Sequence, residues 1–210
     1  MTDRTLIYFA DPMCSWCWGF APVIDAVRER WGDAAPIRLV MGGLRPGTIE
    51  PMAEKAKSDL QGHWTHVTEA SGQPLTQGGM ANPGFVYDTD PAARATVVAR
   101  RAGMDLALSF LHGAQRAFYA EGRDVTQPEI LADIAAGLGL GRETFLGDLA
   151  SEETKQETWR DYAISRGAEV TGFPTLIAGP RPDGTYAAIA RGFQPASFVV
   201  PVVEAWRAEA

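Results

Sequence analysis

Two cysteines with two residues between them, Cys14 and Cys17, constrain this chain more than any other feature, because of what flanks them. Before them, Thr5-Leu6-Ile7-Tyr8-Phe9-Ala10 is apolar and rich in β-formers, which predicts a buried strand over residues 4–10. After them, Val23, Ile24, Val27 and Trp31 recur at helical spacing, which predicts an amphipathic helix over residues 15–31. Strand, short loop, Cys-x-x-Cys and helix put both sulfurs at a helix N-terminus. Residues i and i+3 on one helical turn lie about 5–6 Å apart, a separation a disulfide spans. The unpaired N–H groups and the dipole of that turn favour a thiolate, and the thiolate is the nucleophile of disulfide exchange. Cys14 is therefore the expected attacking residue. Cys17, one turn further in, is the expected resolving residue.

Two other readings of the pair remain open from spacing alone: half of a zinc site, or two inert core thiols. Structural zinc takes about four protein ligands and catalytic zinc about three. The chain has no further cysteine, and His63, His66 and His112 are remote in sequence. His63 and His66 read as surface polar groups rather than ligands.

At 210 residues the chain can bury a sizeable core, as one large domain or a small domain carrying an insertion. Hydrophobic residues make up 46% and charged ones 21%, a globular rather than disordered balance. A net charge of −7 argues against a nucleic-acid partner, which needs a basic face. No apolar run is long enough to span a membrane, so no membrane partner is expected. Met1-Thr2-Asp3-Arg4 carries no basic, apolar leader pattern, and both cysteines are committed to one motif. Both points predict a cytoplasmic location. They leave oligomeric state open.

Further along, Pro36 to Met41 reads as a second strand, parallel to the first because a helix joins them. Gly42-Gly43-Leu44-Arg45-Pro46-Gly47 is a turn-rich exit. From about 49 to 167 the pattern is helical. A helix is expected over 49–70, then a long loop over 71–90 with Phe85-Val86-Tyr87 as an apolar island. Asp90-Pro91 predicts a helix with Asp90 as N-cap. Another helix covers 104–119. Thr126 and Glu129 have capping-box spacing ahead of a helix running through Leu138. A short helix covers 142–149, and Ser151 caps one to about 166; Glu152 and Glu153 mark that helix start rather than a metal site. Thr175 to Ala178 and Tyr186 to Gly192 then read as a hairpin. A final helix over 195–208 must kink or restart at Pro201.

The order is β-α-β, a helical block, then β-β-α. With Cys14-Ser15-Trp16-Cys17 and Gly172-Phe173-Pro174-Thr175, it resembles the DsbA family of thioredoxin-fold disulfide oxidoreductases. Asp11-Pro12-Met13-Cys14 and Ala117-Phe118-Tyr119 are similar to its cytoplasmic, FrnE-like branch of predicted protein-disulfide isomerases. The resemblance implies an α/β thioredoxin fold with a large all-helical insertion between the second and third strands. Residues 1–48 and 168–210 would form the thioredoxin-like domain and 49–167 the insertion. It implies thiol–disulfide exchange through Cys14 and Cys17 on protein or small-molecule thiols and disulfides. No bound cofactor is required. The electrons sit in the redox-active Cys14–Cys17 pair, which is recycled by glutathione or a thioredoxin system. It also implies a cis peptide at Pro174, exposing the Phe173 backbone toward Cys14 so that a substrate pairs as an added strand. Ser15, Trp16, Phe173 and Pro174 are the expected substrate-binding residues, Trp16 as an apolar rim. Trp18 and Phe20 are read as core, Met41, Met52 and Met104 as gap-fillers, and Asp25 as solvated.

The chain departs from the family in two places. Ser15-Trp16 replaces the Pro-His of strongly oxidising members, and Tyr8 stands where many thioredoxin-fold enzymes keep a buried acid. The family also contains glutathione-dependent relatives of the 2-hydroxychromene-2-carboxylate isomerase type. Those typically carry serine where Cys14 stands, and that alternative is disfavoured by the complete cysteine pair.

Overall fold

The structure is a computed structural model and describes residues 4–209. Strand β1 (Thr5–Ala10) leads through a tight loop into α1 (Ser15–Trp31), and β2 (Ile37–Met41) follows. Helices α2 (Glu54–Ser71), α3 (Asp90–Arg100), α4 (Met104–Tyr119), α5 (Pro128–Gly137), α6 (Arg142–Ala150) and α7 (Glu152–Gly167) come next. The chain then returns through β3 (Thr175–Gly179), β4 (Ala187–Arg191) and α8 (Ala196–Ala208). The sheet order is β2-β1-β3-β4, with β1 parallel to β2 and antiparallel to β3.

Alternation along β1 explains one core. Leu6, Tyr8 and Ala10 face α1 and α8, meeting Phe20, Ile24, Val27, Val199 and Val203. Helices α3 and α4 add Ala93, Val97 and Leu108 to the same cluster. A second core lies among the helices, around Trp64, Phe85, Tyr87, Phe110, Phe118 and Phe145. Met13, Trp18 and Ala21, beside the cysteine motif, belong to this second core. The apolar clusters thus cross the expected boundaries at 48/49 and 167/168.

β2 is an edge strand, and an uncovered edge invites foreign pairing. Here helical side chains occupy it. Met41 N–H donates to Asp161 (2.9 Å), Leu39 N–H to the Met104 sulfur (3.3 Å), and Arg100 reaches the Leu39 carbonyl (3.0 Å). Arg100 also pairs with Asp161 (2.6 Å) and Glu157 (3.2 Å). Met104 is therefore a hydrogen-bond acceptor as well as a filler.

Several boundaries differ from expectation. α2 begins at Glu54 rather than 49, because Pro51 pairs as an isolated bridge with Val86. Thr89, not Asp90, is the N-cap of α3. The Asp90 carboxylate instead accepts from the Tyr162 hydroxyl (3.0 Å). The capping box at Thr126 and Glu129 does not form. Gln127 is the N-cap, Thr126 bonds Asp124 (2.6 Å), and Glu129 is drawn away by Arg142. Ser151 does cap α7, accepting from Thr154 N–H (3.1 Å). α8 runs unbroken through Pro201, because the one bond lost would go to the carbonyl of exposed Ser197, which water can satisfy.

The Asp161 carboxylate is nearly buried, so truncating it leaves the Met41 N–H without its acceptor and Arg100 with Glu157 as its remaining carboxylate partner. Asp161→Ala is expected to cost about 3 kcal/mol, measured by chemical denaturation with the slope unchanged.

Candidate active site

β1 runs toward its C-terminal end as β3 runs away from it, and Phe9 pairs with Thr175. The residues after β1 and those before β3 therefore meet at one end of the sheet. Cys14 is the N-cap of α1, its carbonyl accepting from Trp18 N–H (3.1 Å). Its thiol points to the Phe173 carbonyl at 3.5 Å. The Phe173–Pro174 peptide is cis. Gly179–Pro180, at the end of β3, is cis as well. Cys14 keeps 7% of its surface exposed and Cys17 none, and both are free thiols. Burial first, then the neighbouring Cys14, pushes the Cys17 thiol well above its ordinary range.

A buried carboxylate holds the loop that carries these sulfurs. Asp11 accepts from Met13 N–H and from Leu44 N–H, each at 2.9 Å, so it ties the exit of β1 to the exit of β2. Burial pushes Asp11 up to about 6, against those two donors. The Tyr87 hydroxyl donates to the Met13 carbonyl (2.5 Å) from the helical core.

The Phe173 ring lies on Gly42: a Cβ there would sit 2.3 Å from the ring. Pro174 is buried beneath it. Trp16 is half-buried, its ring 5.7 Å from His63 and 5.6 Å from Phe193. Ser15 is almost buried, so of the two residues between the cysteines only Trp16 offers appreciable surface. Trp18 and Phe20 are core. Asp25 is half-buried and pairs with Arg28 and His112 rather than being solvated alone.

Cys14, Cys17, Trp16, Phe173 and Pro174 thus converge. Sequence reasoning missed Gly42 as the seat of Phe173, His63 as a neighbour of Trp16, and Asp11 as the tie to Leu44. The Gly42-Gly43 pair straight after a strand was the readable signal, since paired glycines there mark close approach of another group. Among the described residues, no cluster of three or more His, Cys, Asp or Glu side chains is placed to hold a metal. Nor is any helix among them long and apolar enough to cross a membrane.

A four-stranded sheet with a cysteine pair at the first helix and a cis-proline opposite defines a thioredoxin-fold protein. Residues 5–195 match the DSBA-like thioredoxin domain, and the chain belongs to that family. It is similar to the structure of a putative protein disulfide isomerase from Nitrosomonas europaea: 32% identity, 97% of each chain covered, TM-score 0.88. It is also similar to the cytosolic disulfide reductase DsbM from Pseudomonas aeruginosa, with 26% identity, 97% and 95% coverage and TM-score 0.75; DsbM is also known with GSH. Among curated relatives, the ClpXP adapter protein SpxH of Bacillus subtilis is 26% identical over 181 residues, 80% of this chain. The chain spans about half the length of that relative, 56%.

Two outcomes follow. Gly42→Ala forces the Phe173 ring off its seat, so a stability loss of about 1–3 kcal/mol and slower exchange at Cys14 are expected, read by thermal melting and thiol kinetics. For Asp11, a folded-state value above the ordinary 3.8 means the folded protein binds this proton more tightly. Its contribution is full below the unfolded value and is lost as pH rises through about 6. Wild type should therefore gain on Asp11→Asn as pH falls between those values, by up to about 1.4 kcal/mol per pH unit. Denaturation of both proteins across that range checks this.

Proposed function

We propose that this protein is a thiol–disulfide oxidoreductase of the reductase or isomerase kind, exchanging disulfides through Cys14 and Cys17. The observation that carries the reading is the asymmetry of the pair at one helix N-terminus. Cys14 is reachable and faces the Phe173 carbonyl at 3.5 Å, while Cys17 is sealed behind it.

In the reducing direction the Cys14 thiolate attacks a substrate disulfide. One substrate sulfur leaves as a thiolate, and a mixed disulfide remains on Cys14. Cys17 then loses its proton and attacks the Cys14 sulfur. The second substrate sulfur leaves and takes a proton from solvent, and the cysteine pair is oxidised by two electrons. Glutathione or a thioredoxin system returns those electrons, and no bound cofactor is needed. Phe173 and Pro174 supply the backbone edge on which an extended substrate lies, and Trp16 with Phe193 supplies an apolar rim. The location that fits this chemistry is the cytoplasm, in keeping with the cytosolic DsbM to which the chain is similar.

An isomerase of the 2-hydroxychromene-2-carboxylate type is disfavoured by the second thiol, which such chemistry does not use. The test is reduction of insulin with glutathione as the electron source. Cys14→Ser is expected to abolish turnover. Cys17→Ser is expected to accumulate a mixed disulfide on Cys14, visible by mass spectrometry. Activity in Cys14→Ser equal to wild type would refute the reading.

A further inference from the structure

Three buried polar atoms without a hydrogen-bond partner come together behind the cysteine pair: the Tyr8 hydroxyl and both amide atoms of Gln115. Tyr8 is on β1 and Gln115 on α4, and both line one small cavity of about 10 Å³ between α1, α4 and the sheet. Buried polar groups left unpaired are rare. Ala21, Ile24, Leu108 and Leu111 form the rest of its wall, and a cavity of this size holds about one water where about two to four polar partners face it. Tyr8 and Gln115 provide them. Asp25 and His112 line the same cavity, with His112 Nδ1 3.5 Å from the Asp25 carboxylate and both half-exposed. At its inner end, Tyr8 packs in the same core cluster as Cys17, which bears on the Tyr8 hydroxyl electrostatically.

We propose that Tyr8 and Gln115 hold one ordered water, and that Tyr8 and this water carry the Cys17 proton out to the His112–Asp25 pair during resolution. The proposal rests on the exchange reading above. The thiol proton of Cys17 passes to the Tyr8 oxygen as the Tyr8 proton passes to the water, and the water releases one to His112–Asp25. The Cys17 thiolate attacks Cys14, the Cys14–substrate bond breaks, and the departing thiolate takes a proton from solvent. No net charge stays on Tyr8. Gln115 is a positioning residue that acts through the water.

The need for such a route comes from burial. Cys17 is closed to solvent and its thiol is held protonated, so ionisation requires an acceptor inside the protein. The ionisable groups around Tyr8 and Cys17 come from three places. α1 brings Cys14, Asp25 and, through Asp25, Arg28; α4 brings His112; the loop after β1 brings Asp11. β2 and β3 present Leu39 and Leu176 opposite Tyr8, and α8 brings Val199 and Val203 to the same core. Asp11 is the competing acceptor, but its carboxylate already accepts from Met13 and Leu44.

Stopped-flow reaction of the reduced protein with one equivalent of dithiobis(nitrobenzoate) separates the steps. The first coloured thiolate reports attack by Cys14, the second resolution by Cys17. Tyr8→Phe should leave the first release within about twofold of wild type and slow the second about a hundredfold near neutrality. The deficit should shrink as pH rises toward the range where Cys17 ionises unaided. Gln115→Leu, which keeps the Tyr8 hydroxyl, should displace the profile of the second release in the same alkaline direction. If Tyr8 only packs the core, Tyr8→Phe leaves the second release unchanged at every pH, and the proposal fails. It fails equally if Asp11→Asn moves that profile while Tyr8→Phe does not. No first release from wild type would refute the exchange reading itself.

Discussion

The antiparallel pairing of β1 with β3, in the register that sets Phe9 against Thr175, is the constraint on which the site depends. A strand ending beside the start of its antiparallel neighbour brings together whatever follows the first and precedes the second. Cys14 follows β1 and Phe173 precedes β3, so their 3.5 Å contact spans a sequence separation of 159 residues without a dedicated tether. The parallel partner β2 ends at the same place, and its exit supplies Gly42 under the Phe173 ring and Leu44 for the Asp11 carboxylate. A slip of one residue in the β1–β3 register would turn every side chain to the other face. It would also carry Phe173 away from the sulfur.

The helical block between β2 and β3 does more than occupy that connection. It closes the open edge of β2 with side chains rather than with another strand, through Arg100, Asp161 and Met104. It also supports the cysteine loop from beneath, because Tyr87 holds the Met13 carbonyl while Met13 and Trp18 sink into the helical core. The loop is thus held by two partners, by Asp11 through Leu44 and by the helical core through Tyr87. A backbone so fixed keeps Cys14 at the N-cap of α1.

Local pattern was enough to read the elements. The β-formers of Thr5–Ala10, the helical spacing after Cys17 and the helical block between two strand pairs all lie where periodicity placed them. The site was legible as far as its motifs, because a Cys-x-x-Cys and a Phe-Pro ahead of a strand are short and contiguous. The errors share one cause, competition from partners distant in sequence. Glu129 has capping-box spacing but meets Arg142, and Asp90 has N-cap chemistry but meets Tyr162. The helix expected from residue 49 starts late, at Glu54, because Val86, remote in the chain, pairs with Pro51. The seat of Phe173 on Gly42 lies beyond local reading for the same reason.

The two sulfurs differ through position alone, and that difference orders the chemistry. Cys14 is the N-cap of α1 and keeps a little of its surface exposed, the position the proposed exchange needs for an arriving disulfide. Cys17 sits one turn deeper, with no exposed surface and a thiol held protonated by its surroundings. In the exchange proposed for this pair, a substrate meets one nucleophile, and the second acts only after a mixed disulfide forms beside it. Each sulfur could not do the other's work: exposure would let Cys17 be captured before resolution, and burial would keep Cys14 from its substrate. In the proposed cycle, burial leaves the inner thiol dependent on the protein to remove its proton, so the polar atoms around Tyr8 bear on resolution rather than on capture.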